Sequence, residues 1–265
     1  MQSPEKGNPG CGTGAGEMNE GIFNNTPIPP ESQAFSDKTG PGVATAMSNK
    51  LTMLSVHLAD LQQSGLTDET IRAAGLYTVP PDDIGKKLGG NDSGILSLLD
   101  FPYPGCEGHE RFKCFYEEGK SGPKYRQKKE TPNRLYLPPA ADPLTDGPLV
   151  IAEGEKKCLA LWQAGYEVVG ISGVWNWCQK GEGYRKPKES RPIPDLDRVN
   201  WRRPVTIIFD SDGHDKYMVR LAAFRLTREL SRMGAAVSII FGSICVKYGN
   251  MIVFIQHADF VGGFI

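Results

Sequence analysis

The stretch Leu149-Val150-Ile151-Ala152-Glu153-Gly154 decides the fold of this chain. Four aliphatic residues in succession are typical of a strand that is buried on both faces. Residues 155–164 follow with apolar side chains at helical spacing, Gly165 ends that pattern, and residues 168–171 form a second short aliphatic run. The order strand, helix, strand predicts a right-handed crossover between two parallel strands.

A second stretch, Val205-Thr206-Ile207-Ile208-Phe209-Asp210-Ser211-Asp212, repeats the same pattern of an apolar run that ends in carboxylates. A longer amphipathic segment follows it, is ended by Gly234, and leads into the apolar run 237–241. Because the strand–helix–strand unit is repeated, the sequence predicts an α/β fold with a mainly parallel sheet flanked by helices.

Three carboxylates come directly after the two predicted strands: Glu153, Asp210 and Asp212. In open α/β sheets, ligands bind outside the carboxyl ends of the strands, where these side chains would meet. Neighbouring strands lie about 4.8 Å apart, and two like charges about 4 Å apart repel by roughly 4 kcal/mol at an effective dielectric of 20. Acids crowded in this way, with oxygen donors only, predict a Mg²⁺ or Mn²⁺ site. Either stretch alone would also fit an ordinary helix N-cap.

The strand-terminal Glu153-Gly154 and the strand-terminal Asp210-Ser211-Asp212 together resemble the toprim domain, which topoisomerases, bacterial-type primases and some nucleases share. The resemblance covers about residues 148 to 241. It implies that Glu153 is the general acid or base and that the Asp pair holds the metal. Lys157 stands where primases usually place a further acid. Asp215 is a candidate substitute, although an acid is favourable at the start of a helix in any case.

Residues 120–136 form a basic segment just before the first of these strands. Six of the fifteen residues from Lys120 to Arg134 are Lys or Arg, against one Glu. A run of this kind is usually a solvated face. In bacterial primases, however, a similar stretch with Lys-Tyr and Leu-Tyr stands before the toprim Glu and lines the path of nucleic acid and nucleotide.

Pro123-Lys124-Tyr125 and Leu135-Tyr136 occupy that place in this chain. Lysine and arginine beside a metal site would hold phosphate, and a tyrosine could stack on a base. The two lysines that follow the Glu-Gly turn, Lys156 and Lys157, either bind phosphate as well or form a solvated helix surface. The candidate residues for binding nucleic acid or nucleotide are Lys124, Tyr125, Arg126, Lys128, Lys129, Lys156 and Lys157.

Composition divides the chain into four parts. Residues 1–48 are rich in Gly, Pro, Ser and Asn, and predict a disordered leader. Residues 49–147 predict a small α+β subdomain that begins with a helical hairpin, and residues 148–242 the toprim-like catalytic domain. Residues 243–265 are an atypical tail, in which we expect a hairpin turned at Gly249-Asn250 and which we interpret as a truncated or frame-altered product.

A polar insertion rich in Lys and Arg, residues 178–204, separates the two acid-tipped strands. We expect a loop that touches phosphate near the crevice, or else a merely soluble insertion. A helical turn is expected at 195–199, with Trp175 and Trp177 packed beneath the insertion.

Net charge and cysteine content add little about partners. The formal net charge is -1, and the six cysteines include no C-x-x-C pair. Cys106, His109 and Cys114 lack a fourth zinc ligand at standard spacing, which predicts free thiols. Without a secretory or membrane-spanning segment, a reducing cytoplasm is the predicted setting.

The block from residue 58 to residue 240 resembles the toprim-like domain of unknown function found in primase-helicases of plasmids, phages and integrated elements. Ser64-Gly65-Leu66, the stretch 153–157 and Gly173-Val174-Trp175-Asn176-Trp177 carry this resemblance. It implies primase-type nucleotidyl transfer in DNA replication, with single-stranded DNA and nucleoside triphosphates as substrates and a helicase domain or protein as partner. Two alternatives stay open: a toprim nuclease, and a nucleic-acid-binding accessory module without chemistry, which Lys157 favours.

Overall fold

A computed structural model describes residues 52–179, 190–210, 213, 215–247 and 250–257, with the backbone alone for residues 243–257. The predicted leader, residues 1–48, lies outside the described residues, as does Asp212. The described residues belong to one compact unit. This unit is a mixed α/β fold built on two sheets.

The first sheet is antiparallel, with the order β1-β2-β3-β4. Its strands are β1 (Tyr77–Thr78), β2 (Ile95–Pro102), β3 (Glu110–Tyr116) and β4 (Tyr125–Gln127). Successive side chains of a strand point to opposite faces. Leu98 therefore packs on α3 (Ile84–Leu88), while Leu99 joins the core formed with the first two helices. Both faces of this sheet are thus covered.

The predicted helical hairpin at the start of the small subdomain is confirmed. It consists of α1 (Ser55–Gln63) and α2 (Asp68–Ala73). The hydroxyl of Thr67 accepts the backbone N–H of Thr70 at 3.3 Å and so caps the start of α2.

The second sheet has six strands in the order β10-β9-β8-β6-β7-β5. The strand β6 pairs in parallel with both β7 and β8, and β8 pairs in parallel with β9. The two edge strands, β5 and β10, are antiparallel to their neighbours, so the sheet is mixed. The bounds are β5 (Leu135–Tyr136), β6 (Leu149–Glu153), β7 (Val168–Ile171), β8 (Pro204–Phe209), β9 (Ala236–Lys247) and β10 (Asn250–His257).

Both predicted strand–helix–strand units are present. The helix α4 (Glu155–Gln163) connects β6 to β7, and α5 (Tyr217–Arg232) connects β8 to β9. One core lies between α5 and the sheet, where it includes the fully buried Ala222 and Leu230. A second core joins α4 to the small subdomain through Leu61, Leu99 and Leu159. The small antiparallel sheet is therefore held against α4.

The predicted packing of the insertion is confirmed where the structure describes it. Trp175 and Trp177 are buried in one cluster with Ile193 and Leu196, and a 3-10 turn covers Pro194–Arg198. The tail hairpin is confirmed as well, but Lys247 pairs with Asn250. Asn250 therefore begins β10 instead of forming part of the turn. No helix within the described ranges is long and apolar enough to cross a membrane.

Candidate functional site at the carboxyl ends of β6 and β8

Glu153 and Asp210 lie at the same edge of the second sheet. Ala152 pairs with Ile208 in parallel register, so the last residue of β6 and the first residue after β8 stand at neighbouring strand ends. Gly154 then turns the chain into α4 with a φ of 90°, a backbone conformation that an L-residue adopts only under strain. The Glu-Gly pair thus consists of an acid at the strand end and the residue that permits the turn.

Lys157 forms an ion pair with Asp210. The lysine is the third residue of α4, and the two side chains are 24% and 53% exposed. A residue predicted to bind phosphate therefore neutralises a residue predicted to bind metal. Both side chains lie near the carboxyl ends of β6 and β8. The candidate site therefore carries a positive charge as well as negative ones.

Asp212, the third predicted carboxylate, lies outside the described residues. Within the ranges that the structure does describe, no group of three or more His, Cys, Asp or Glu side chains is arranged to hold a metal ion. Cys106 and Cys114 are buried free thiols, as predicted. Of the three carboxylates predicted to bind the metal ion, the structure describes Glu153 and Asp210.

Glu155, the first residue of α4, is bound to the small subdomain. Its side chain is 2% exposed, and its Oε1 accepts hydrogen bonds from the Tyr103 hydroxyl at 2.6 Å and from the Arg111 Nη1 at 3.0 Å. Burial, reinforced by the Glu155 charge, raises the pKa of Tyr103 well above its ordinary value, so the tyrosine stays a neutral donor. These contacts fix the first turn of α4, directly after the site glutamate.

Asp60 of α1 makes a second connection to the same turn. The Lys156 Nζ lies 3.1 Å from the Asp60 Oδ2 and donates to the Ser64 hydroxyl at 2.7 Å, while Lys113 of β3 pairs with the same carboxylate. Burial raises the pKa of Asp60, but the two lysines outweigh it and leave that pKa below its ordinary value. Lys156, predicted to meet phosphate, is thus engaged within the protein.

Tyr125 brings the basic segment to this site. Its ring centroid lies 5.0 Å from the Arg111 guanidinium and 5.9 Å from the Lys124 ammonium. Burial raises the pKa of Tyr125, and the nearby carboxylates of Glu155 and Asp210 are among the charges that add to the effect. The half-buried tyrosine therefore lies against Arg111, which binds Glu155 in the first turn of α4, and the exposed Lys124 lies over the same ring.

The rest of the basic segment lies elsewhere. Arg126 pairs with Phe112 in the β3–β4 register and so lies on the face that packs on α3. Its Nη1 donates to the carbonyl of Asn91, in the loop after α3, at 2.7 Å. Lys128 and Lys129 are exposed and follow the end of β4. The alternation of side chains along a strand separates Arg126 from Tyr125, which a prediction based on charge alone does not capture.

The insertion supplies a correction. Arg203, which we expected in a phosphate-binding loop, is a buried residue whose Nη1 lies 2.8 Å from the Glu167 carboxylate. It precedes β8 and therefore lies at the amino end of that strand, opposite to Glu153. A cleft of about 330 Å³, lined in part by Glu167, lies at this opposite end. Residues 180–189 of the insertion lie outside the described residues.

Part of the chain is similar to a family model whose description assigns no activity. Residues 144–242 match the model of a family described as a domain of unknown function, DUF3854. An uncharacterized protein of Picosynechococcus sp. (strain PCC 7002) is 34% identical over 105 residues, which cover 35% of this chain and 10% of that protein. The aligned region thus spans about a tenth of the length of this relative.

Proposed function

We propose that residues 148–242 form a toprim-like domain that carries out Mg²⁺- or Mn²⁺-dependent nucleotidyl transfer of the primase type on single-stranded nucleic acid. The supporting observation is the placement of Glu153 and Asp210 at the neighbouring ends of two parallel strands. Tyr125, with Lys124 over its ring, lies against Arg111, which binds the first turn of α4 directly after Glu153, and both residues would contact the substrates. The four inner strands of the second sheet, which are all parallel, agree with this interpretation.

The side chains present fit the proposed metal in donor type. Glu153 and Asp210 offer carboxylate oxygens, which Mg²⁺ prefers, and the sequence adds Asp212 two residues further on. Lys157 already contacts Asp210, so a bound divalent ion must displace the Lys157 ammonium or share the Asp210 carboxylate with it. When bound, the ion would neutralise triphosphate charge.

The protein's own groups would handle the proton and the substrates. Glu153 would accept the proton of the attacking 3′-hydroxyl, because it is the acid at the end of β6, directly before the turn at Gly154. Lys124 would attract the triphosphate or the template backbone. Tyr125 would offer a ring edge to a base, because Arg111 already lies against the ring.

The test is primer synthesis on single-stranded DNA with nucleoside triphosphates and Mg²⁺. The double variant Glu153→Gln, Asp210→Asn should lose product by at least about 100-fold, since it removes the proton acceptor and the metal ligand. The matched control is Asp82→Asn, Glu118→Gln, which neutralises two exposed acids of the small subdomain. Equal product from both double variants would contradict the proposal, and cleavage of the template without triphosphates would select a nuclease instead.

A second candidate function is favoured by the ion pair between Lys157 and Asp210. An ammonium that already neutralises Asp210 reduces the need for a metal at this edge. The domain would then bind nucleic acid without chemistry. Binding that falls with salt but is unchanged by EDTA, together with no primer synthesis, would select this candidate.

A further inference from the structure

The outer face of α5 carries two large exposed aromatic side chains. Tyr217 is 66% exposed and Phe224 is 55% exposed. They are seven residues apart, which at 3.6 residues per turn places them within about 20° of each other around the helix axis. The opposite face of α5 is buried, so the aromatics point away from the core. Two large aromatic side chains that are exposed on the same face of one helix do not contribute to the core, so their exposure points to a binding role.

Arginines occupy the same face. Arg220 and Arg228 are exposed and lie within about 60° and 20° of the direction of Tyr217 around the axis. The sixteen residues of α5 include four arginines and one acid, Glu229. We call Tyr217, Arg220, Phe224 and Arg228 the α5 stripe. It combines planar rings with positive charge along about 16 Å of helix.

We propose that the α5 stripe is a binding surface for single-stranded nucleic acid, in which bases stack on Tyr217 and Phe224 and phosphates pair with Arg220 and Arg228. Exposed rings interleaved with cations match the chemistry of unpaired bases on an anionic backbone. A second copy of this chain is a poorer match, because a symmetric contact would place arginine against arginine.

The position of α5 agrees with this role. The helix begins seven residues after Asp210, on the chain that leaves the carboxyl end of β8, so its Tyr217 end is the one nearer the candidate site in the chain. A strand engaged at that site would continue along the stripe. This inference rests on the proposed function in taking a single strand as the ligand, but it does not require catalysis.

The experiment measures binding of a fluorescently labelled single-stranded oligothymidylate to the full chain by anisotropy. Tyr217→Ala, Phe224→Ala should weaken binding at least tenfold, since each base stacked on an aromatic ring contributes substantially. The matched control is Leu144→Ala, Tyr166→Ala, which removes two exposed apolar side chains elsewhere and should leave affinity unchanged. Arg228→Gln should lower affinity and reduce the salt dependence by about one counterion.

Unchanged affinity in the aromatic double variant would overturn the proposal. So would a dimer of the wild-type chain that becomes monomeric in this variant while DNA binding is retained, because the stripe would then be a contact between copies. Thermal unfolding of each variant separates lost binding from lost folding. Anisotropy reports binding whether or not primer is made. A chain that loses affinity in the aromatic double variant but synthesises no primer would therefore overturn the nucleotidyl-transfer proposal alone and leave the stripe in place.

Discussion

The ammonium of Lys157 contacts the carboxylate of Asp210 and joins the first turn of α4 to the end of β8. The contact lies at the carboxyl ends of β6 and β8, where the carboxylates of the two neighbouring strands were expected to repel each other. A positive charge supplied by the protein relieves part of that repulsion. Any divalent ion at this edge competes with Lys157, and the strength of that competition can be measured.

Replacing Lys157 should increase metal affinity. In Lys157→Glu the competing ammonium is removed and a further carboxylate is placed on the first turn of α4, so Mn²⁺ should bind at least tenfold more tightly than to the wild type. Calorimetric titration with Mn²⁺ gives the comparison. Lys128→Glu makes the same charge change at an exposed position after β4 and should have little effect. Equal gains in both variants would mean that net charge alone sets the affinity.

Breaking the contact between Arg111 and Glu155 should destabilise the fold strongly. Arg111→Met leaves the 2%-exposed Glu155 carboxylate without its cation, which typically costs about 3–5 kcal/mol for a buried pair. Urea denaturation measures the free energy of unfolding. The control is Arg72→Met, which breaks the exposed pair with Glu69 and should cost less than about 1 kcal/mol. Similar losses in the two variants would refute the structural role of Glu155.

Asp100 should make the protein less stable as the pH rises. Burial and then the Glu110 charge raise the pKa of this fully buried carboxyl to about 7, although Lys87 lies 3.8 Å away. Between about pH 4 and pH 7 the folded chain holds a proton that the unfolded chain releases, so the free energy of unfolding falls across this window. Asp100→Asn removes that titration, and its stability relative to the wild type should be higher at pH 8 than at pH 5.

Urea denaturation at the two pH values measures this difference, with the exposed Asp82→Asn as the control. A pKa difference of about three units corresponds to at most about 4 kcal/mol. If Asp100→Asn and the control showed the same pH dependence, the carboxyl would have to be ionised in the folded chain throughout this range.

His57 should act in the opposite direction. Burial lowers the pKa of this imidazole to about 4, with the Asp60 charge opposing the effect, and its ring nitrogens lie 2.8 Å and 2.9 Å from the hydroxyls of Thr78 and Ser97. The unfolded chain takes up a proton below about pH 6.5, so the stability due to a neutral His57 is lost as the pH falls towards 4.

His57→Gln cannot take up that proton. Relative to this variant, the wild type should lose roughly 2 kcal/mol of unfolding free energy between pH 7 and pH 5. Paired urea titrations at pH 5 and pH 7 provide the measurement, and Gln63→Ala, an exposed change at the end of the same helix, should follow the wild type. A constant difference between wild type and His57→Gln would show that the pKa of His57 is the same in the folded and unfolded chains, so that the folded imidazole is protonated at pH 5.

Local patterns were sufficient for the strands and helices of the two strand–helix–strand units. Runs such as 149–153 and 205–209 form the predicted strands, because consecutive aliphatic side chains need burial on both faces. The apolar spacing after Gly154 forms α4, which ends before Gly165 as predicted, because both signals act over a few residues. The placement of acids at the ends of parallel strands followed from the same patterns, since such ends share one edge.

The partners of the charged residues were decided only by the tertiary structure. Lys156 is bound by Asp60, which lies 96 positions earlier, and Arg111 and Glu155 are 44 positions apart. The local sequence does not distinguish a lysine that is held in an ion pair from one that faces solvent, because either kind can occupy the same position in a helical pattern. The pairing depends on how the small sheet packs on α4, and that packing results from apolar contacts distributed over the whole fold.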